Sequence, residues 1–234
     1  PVLLKQMIRQ ESQFWPSVYT QTHFGYGHIT NIGMRNALEG NLDLREKVCP
    51  AGSGFACAYD YSIAEGILSS LIATCPTCQY GLDLNKAEES IYILADTLKA
   101  NAYQTGYIFE QRELKASYED LWRFSVLSYH AGYNCLEYAV ATSSLYQEPI
   151  TWDNVSRHLY CEGSREYVDS VWQKLASFSE FHPPAVDTNA KIYFPTQTIY
   201  AKAIFSHHQF SIVSCICFTH MPHIMNTSPI KKIK

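Results

Sequence analysis

Residues 1–180 are predicted to form an all-α domain, followed by an irregular C-terminal extension over 181–234. Two observations carry the fold class. Apolar residues recur at helical spacing in one stretch after another, and no strand series or hairpin signal interrupts them before residue 180. A third observation places the boundary. At His182-Pro183-Pro184 the texture changes, and no acidic residue follows Asp187.

The first stretch, 3–14, is the clearest. At about 100° per residue, Leu3, Leu4, Met7, Ile8, Phe14 and Trp15 fill one arc, and Lys5, Gln6, Arg9, Gln10, Ser12 and Gln13 fill the other. Glu11 breaks the pattern by falling inside the apolar arc. A carboxylate aimed at a core is costly unless it is paired or protonated. Desolvation raises its pKa, which is what a general acid needs near neutral pH. The plain alternative is a glutamate that bends out to solvent or meets a buried arginine. Pro16 ends this helix, and 17–33 reads as a polar loop carrying Gly25 and Gly27.

The remaining elements follow in order. Residues 31–42 are weakly helical and 43–61 irregular. From Ser62, Ile63, Ile67, Leu68, Leu71 and Ile72 share one face until Cys75-Pro76 ends the helix, and 76–86 is loop. Residues 87–102 form a helix with Ile91, Leu94, Ala95, Leu98 and Ala102 at core spacing. In the helix at 118–132, Leu121, Phe124, Ser125, Ser128, Tyr129 and Gly132 make one stripe, and its small residues admit close approach by a helix or a ligand. Residues 135–141 continue helically, and 151–159 and 164–178 are two more amphipathic stretches. The expected total is about seven or eight helices.

With 47% hydrophobic and 17% charged residues the chain reads as an ordinary globular protein. Its net charge of −4 gives no electrostatic case for nucleic acid or an anionic membrane. No apolar run approaches the roughly 20 residues of a membrane span. The 17 tyrosines suit sugar-binding clefts and cores alike. The chain opens on Pro1 rather than Met, which reads as a fragment or a processed form. Eight cysteines, an even number, suit an exported, disulfide-bonded domain. Free thiols are one alternative. Another is a Cys₄ zinc set made of Cys49, Cys57 and the Cys75-Pro-Thr-Cys78 pair. In the extension, His207, His208, His220 and His223 with Cys215 and Cys217 offer a metal-binding alternative to an irregular tail.

Three short motifs, in the right order, resemble the lysozyme-like lytic transglycosylases of the soluble-lytic-transglycosylase type. Met7-Ile8-Arg9-Gln10-Glu11-Ser12-Gln13-Phe14-Trp15-Pro16 is similar to that family's "IxxESxFxP" signature. Gly25-Tyr26-Gly27-His28-Ile29-Thr30 resembles its "GLMQLT" loop, and Ser128-Tyr129-His130-Ala131-Gly132 its "AYNAG" helix end. A fourth, Ser164-Arg165-Glu166-Tyr167-Val168, is similar to its closing "TRxYV". The resemblance spans residues 2–178. It departs from the family at His28, where Gln is usual, and at His130, where Asn is usual. Both keep a hydrogen-bonding side chain but add a titratable group.

The resemblance implies a lysozyme-like helical domain with a cleft, and cleavage of the β-1,4 bond between N-acetylmuramic acid and N-acetylglucosamine in peptidoglycan. Glu11 would be the single acid/base and Ser12 would support it. Gly25, Tyr26, Gly27, His28, Ile29 and Thr30 would line the saccharide cleft, Tyr129 would lie close to Glu11 and hydrogen-bond the site, and His130 would join the substrate contacts. No cofactor and no metal are implied. The implied partner is the peptidoglycan glycan strand, met by a monomer outside the cytoplasm. A conventional glycosidase needs a second carboxylate at a set distance. Glu39, Asp43 and Asp60 are the candidates for that role, and no motif singles one out. A muramidase, a silent saccharide-binding module and a disulfide-stabilised interaction domain are the competing expectations.

Overall fold

The computed structural model describes residues 1–15 and 22–177. Ten α-helices occupy the described residues, and the all-α expectation is what they show. In order these are α1 (Val2–Glu11), α2 (Asn31–Gly40), α3 (Leu42–Val48), α4 (Ala56–Tyr59), α5 (Tyr61–Ser70), α6 (Leu84–Gln111), α7 (Tyr118–Ala131), α8 (Tyr133–Leu145), α9 (Trp152–Val155) and α10 (Ser164–Ala176). All described residues belong to one unit, Pro1–Ala190. The expected extension over 181–234, with its histidines and Cys215 and Cys217, lies outside the described residues.

Side-chain caps fix most helix starts. Thr30 accepts from the Gly33 amide to open α2, and Asn41 from the Leu44 amide to open α3. Asp60 accepts from the Ser62 and Ile63 amides at α5, and Asp83 from Asn85 and Lys86 at α6. Each supplies an acceptor to amides that have no intrahelical partner. Several expectations change here. The helix expected over 3–14 ends at Glu11 rather than at Pro16, leaving Phe14 and Trp15 exposed while Gln6 is buried. The helix expected from Ser62 to Cys75 ends at Ser70, and ten α-helices among the described residues take the place of seven or eight. The segment 43–61 is not irregular, because Asn41 and Asp60 nucleate helices around it and Leu44 and Cys57 are buried. The helix expected at 87–102 runs on to Gln111. Its inward positions include Thr97, Asn101 and Thr105, which interrupt the hydrophobic stripe. The helix itself absorbs two of these polar groups: Thr97 donates to the Ile93 carbonyl (2.7 Å) and Asn101 to the Thr97 carbonyl (2.9 Å).

The apolar interior forms two clusters. Met7 joins Phe109, Phe124, Leu127, Leu136, Trp152, Val168 and Val171 in one. Ile8 joins Phe24, Ile29, Met34, Leu38, Leu68, Leu71 and Leu94 in the other. Two helices contribute to both: α1 through Met7 and Ile8, and α6 through Leu98 and Leu94. Tyr129, near the end of α7, packs against both clusters. The small-residue stripe of α7 is buried among helices, with Ser125 and Ser128 both enclosed. Glu11 therefore ends a helix whose side chains enter both halves of the core.

Six cysteines pair as disulfides: Cys49–Cys57, Cys75–Cys78 and Cys135–Cys161. Cys49, Cys57, Cys75 and Cys78 are thus bridged in two pairs rather than gathered as four thiolates. Cys135–Cys161 links residues 26 apart, the longest separation of the three. By chain-entropy reasoning, closing a loop of that length stabilises by about 3.5 kcal/mol. Replacing both cysteines with serine is expected to lower the free energy of urea unfolding by about that amount. An unchanged midpoint would show that the bridge carries no stability.

Candidate functional site

Burial at the end of α1 sets the character of the site. Only 15% of the Glu11 side chain is exposed. Its Oε1 accepts a hydrogen bond from the Tyr167 hydroxyl of α10. Its Oε2 lies 3.8 Å from His28 Nδ1. The α1–α10 contact is pinned by further polar pairs. Ser170 Oγ donates to Gln10 Oε1 at 3.1 Å, and Lys174 donates to the same oxygen. Tyr167, Ser170 and Lys174 are spaced i, i+3, i+7, so α10 presents one face to the last turn of α1.

The loop at 24–30 is pinched shut by its own backbone. Phe24 donates to the Ile29 carbonyl (3.1 Å) and Ile29 to the Phe24 carbonyl (2.9 Å). Between them Gly25 (φ +65°) and His28 (φ +49°) take left-handed conformations. Such a conformation is uncommon for a residue with a side chain. At Gly27 the requirement is space: a Cβ there would lie 2.5 Å from Leu94 Cδ1 and 2.7 Å from the Tyr129 hydroxyl. The bare backbone lets the Tyr129 hydroxyl donate to the Gly27 carbonyl at 2.5 Å. That bond ties the loop to the end of α7, and His28 faces Glu11 from the next position.

Of the ten residues expected at the site, several converge and several serve the scaffold. Glu11 and His28 meet directly. Tyr129 reaches the loop rather than the carboxyl, bonding Gly27. His130 stacks its ring on Tyr167, with centroids 3.9 Å apart and planes 8° from parallel. Ser12 is buried and donates to the Ile8 carbonyl (3.1 Å), closing α1 rather than touching the carboxyl. Tyr26 and Ile29 are core residues, with the Tyr26 amide donating to Ser90 Oγ (3.2 Å). Gly25 backs onto Ser90 and Leu71, and Thr30 caps α2. Tyr167, which touches the carboxyl, was not among the expected site residues. Its signal was the Ser164-Arg165-Glu166-Tyr167-Val168 motif.

The electrostatics follow from enclosure. Burial pushes the Glu11 carboxyl up to about 7, and the Tyr167 hydrogen bond draws it back in part. Burial lowers His28, as does neighbouring His23, and burial also lowers His130. The imidazoles are therefore neutral near pH 7. The 3.8 Å contact then sets a carboxyl against a neutral ring rather than forming an ion pair. Tyr129 and Tyr167 are raised well above the usual phenol range, by burial first and by the Glu11 charge second, so both remain proton donors. The arrangement holds one carboxyl near half-protonation at neutral pH, with a hydroxyl on one oxygen and an imidazole beside the other.

No protein-family model, curated protein or solved structure matches the chain.

Three measurements test this geometry. Tyr167→Phe removes the bond that favours the charged form, so the Glu11 pKa, followed by carboxyl NMR titration, should move above 7. A fall would contradict it. Linkage gives the second. With an unfolded value of 4.5 and a folded value near 7, Glu11 favours the folded state fully below pH 4.5 and loses that contribution as pH rises through 7. Glu11→Gln should then leave stability unaltered at low pH and raise it by up to about 3 kcal/mol above pH 8. Gly27→Ala should cost about 1–3 kcal/mol in denaturant unfolding through overpacking against Leu94 and Tyr129.

Proposed function

We propose that this chain is a peptidoglycan lytic transglycosylase with a lysozyme-like catalytic domain, and that Glu11 is its acid and then its base. The observation that carries the reading is the Glu11 carboxyl itself. It is enclosed at the end of α1, raised to about 7, held by Tyr167 and faced by His28 from the 24–30 loop. The four motifs that resemble the family lie far apart in sequence, and these contacts connect all of them: Glu11 to Tyr167 and His28, Gly27 to Tyr129, and His130 to Tyr167.

In the proposed reaction, protonated Glu11 donates its proton to the glycosidic oxygen as the bond to the muramyl anomeric carbon breaks. The substrate's N-acetyl group or ring stabilises the positive charge that develops there. Ionised Glu11 then takes the proton of the muramyl 6-hydroxyl, whose oxygen closes on the anomeric carbon to give a 1,6-anhydro end. Glu11 finishes protonated and no water is consumed. Tyr167 suits both halves of the cycle because its hydroxyl steadies the carboxylate between the two proton transfers.

The three candidates for a second carboxylate have other surroundings. Asp43 is exposed and pairs with Lys99 at 3.1 Å, and Asp60 caps α5. Glu39 lies near the Tyr59 phenol and helps raise it. This supports a one-carboxyl mechanism over a hydrolase. The glycan strand would be met outside the cytoplasm, a setting that suits three disulfides. No helix among the described residues is long and apolar enough to cross a membrane.

Digestion of purified peptidoglycan with mass analysis of the products tests the reading. Anhydro-muropeptides are expected, and Glu11→Gln should release them at least ~10²-fold more slowly, the lower range for a lost acid/base. Reducing ends instead of anhydro ends would make the chain a hydrolase. Equally little product from both forms would remove the enzyme.

A further inference from the structure

A depression in the surface beside α8 shares no lining residue with the Glu11 site. It is a shallow, largely open depression of about 650 Å³ between the exposed face of α8 and the segment 146–160. Three tyrosines line it, Tyr138, Tyr146 and Tyr160. They are 54%, 66% and 61% exposed, so none is a core residue. An isolated exposed aromatic is ordinary, whereas here three line one depression beside polar side chains.

The cleft is held in shape. Cys135 and Tyr138 are three apart on α8 and share a face. The bridge from Cys135 to Cys161 therefore brings Tyr160 alongside Tyr138, where the rings meet edge to face at 5.2 Å and 89°. At the other end Tyr146 stacks on His158 at 5.6 Å. His158 Nε2 lies 2.8 Å from one Glu148 oxygen, and Arg157 donates to the other at 3.4 Å and to Asn154 Oδ1 at 2.5 Å. Glu148 and Arg157 balance in charge, so no net charge calls for an ion.

We propose that this cleft is a second saccharide-binding site. Its chemistry is that of a neutral, polyhydroxylated ring. Flat tyrosine faces match the apolar face of a pyranose, and phenol, carboxylate and guanidinium groups beside them match its hydroxyls and amides. The rings lie on pre-set positions, so little ordering is required on binding. The specific glycan, a β-1,4-linked N-acetylhexosamine strand, rests on the proposed function. A site of this kind would hold the polymer while Glu11 works on another part of it, and would raise the local concentration of substrate.

The test titrates Glu11→Gln protein, which leaves the glycan uncut, with the soluble β-1,4 hexamer of N-acetylglucosamine, followed by NMR. The ring resonances of Tyr138, Tyr146 and Tyr160 are expected to shift on an isotherm of their own. In a Tyr138→Ala/Tyr160→Ala form this isotherm should weaken at least tenfold while that of the Glu11 site stays unchanged. If the double variant does not fold, Tyr146→Ala replaces it with the same expectation. Silent tyrosines at millimolar hexamer overturn the proposal, as does a groove isotherm that the tyrosine substitutions leave unmoved. Self-association abolished by the same substitutions, with no response to glycan, assigns the cleft to a second copy and overturns it too. Peptidoglycan digestion separates the two readings. A digesting chain with a silent cleft removes the second site alone, and an occupied cleft on a chain that releases nothing removes the enzyme alone.

Discussion

The hydrogen bond from Tyr167 to Glu11 is the contact on which the geometry of the site depends. It joins residues 156 positions apart, and both helices that carry it are committed elsewhere. Met7 and Val168 lie in the same apolar cluster, so burial holds α1 and α10 together independently of the polar contact. The enclosure that results would leave a carboxylate without water. Tyr167 offsets part of that desolvation and leaves the rest, and the remainder appears as a pKa of about 7. Full compensation, as by an arginine, would return the carboxyl to its ordinary acidity. A single neutral donor is the partner that leaves it between acid and base.

The loop opposite solves a different problem, which is to bring an imidazole to the carboxyl without bringing a charge. His28 is held by a backbone pinch and a left-handed conformation rather than by a regular element. Its orientation is fixed from behind, where Tyr129 bonds the Gly27 carbonyl in a gap that only glycine leaves open. Tyr129 packs against both core clusters, so the loop is referenced to the body of the fold. His130 reaches the site by another route, stacking on the ring whose hydroxyl holds Glu11.

The sequence made the helices legible wherever their buried faces are apolar. Met7 and Ile8, or Val168 and Val171, announce themselves by spacing. Legibility failed past residue 102 of α6, where Thr105 takes an inward position in place of an apolar residue, and where a short helix depends on its cap, as at Asn41. Glu11 stood out because it violates its own helix's pattern. Tyr167 did not, because a tyrosine on an amphipathic face conforms to the pattern, and only the fold reveals which hydroxyl it offers to what. Ser12, Tyr26, Ile29 and Thr30 show the converse. They lie within motifs that read as site residues, yet their side chains close a helix, fill the core or cap α2. A short motif records a local backbone shape as much as a set of contacts, and spacing alone does not separate the two.

On the proposed function, the two histidines that replace amides bear on where the site can work. An imidazole donates and accepts as an amide does, but it gains a charge in acid. Protonation of His28 would place a cation 3.8 Å from Glu11 and favour the carboxylate, the wrong form for the first proton transfer. Enclosure prevents this over a useful range, since the burial that raises Glu11 also lowers His28 and His130. One physical cause therefore moves the acid up and the imidazoles down, opening a window on the acid side of neutrality in which Glu11 is protonated and both rings are neutral. The histidines are tolerable at these positions because both are enclosed, His28 against the carboxyl and His130 against the Tyr167 ring that holds it. Exposed to water, the same substitutions would close that window from below.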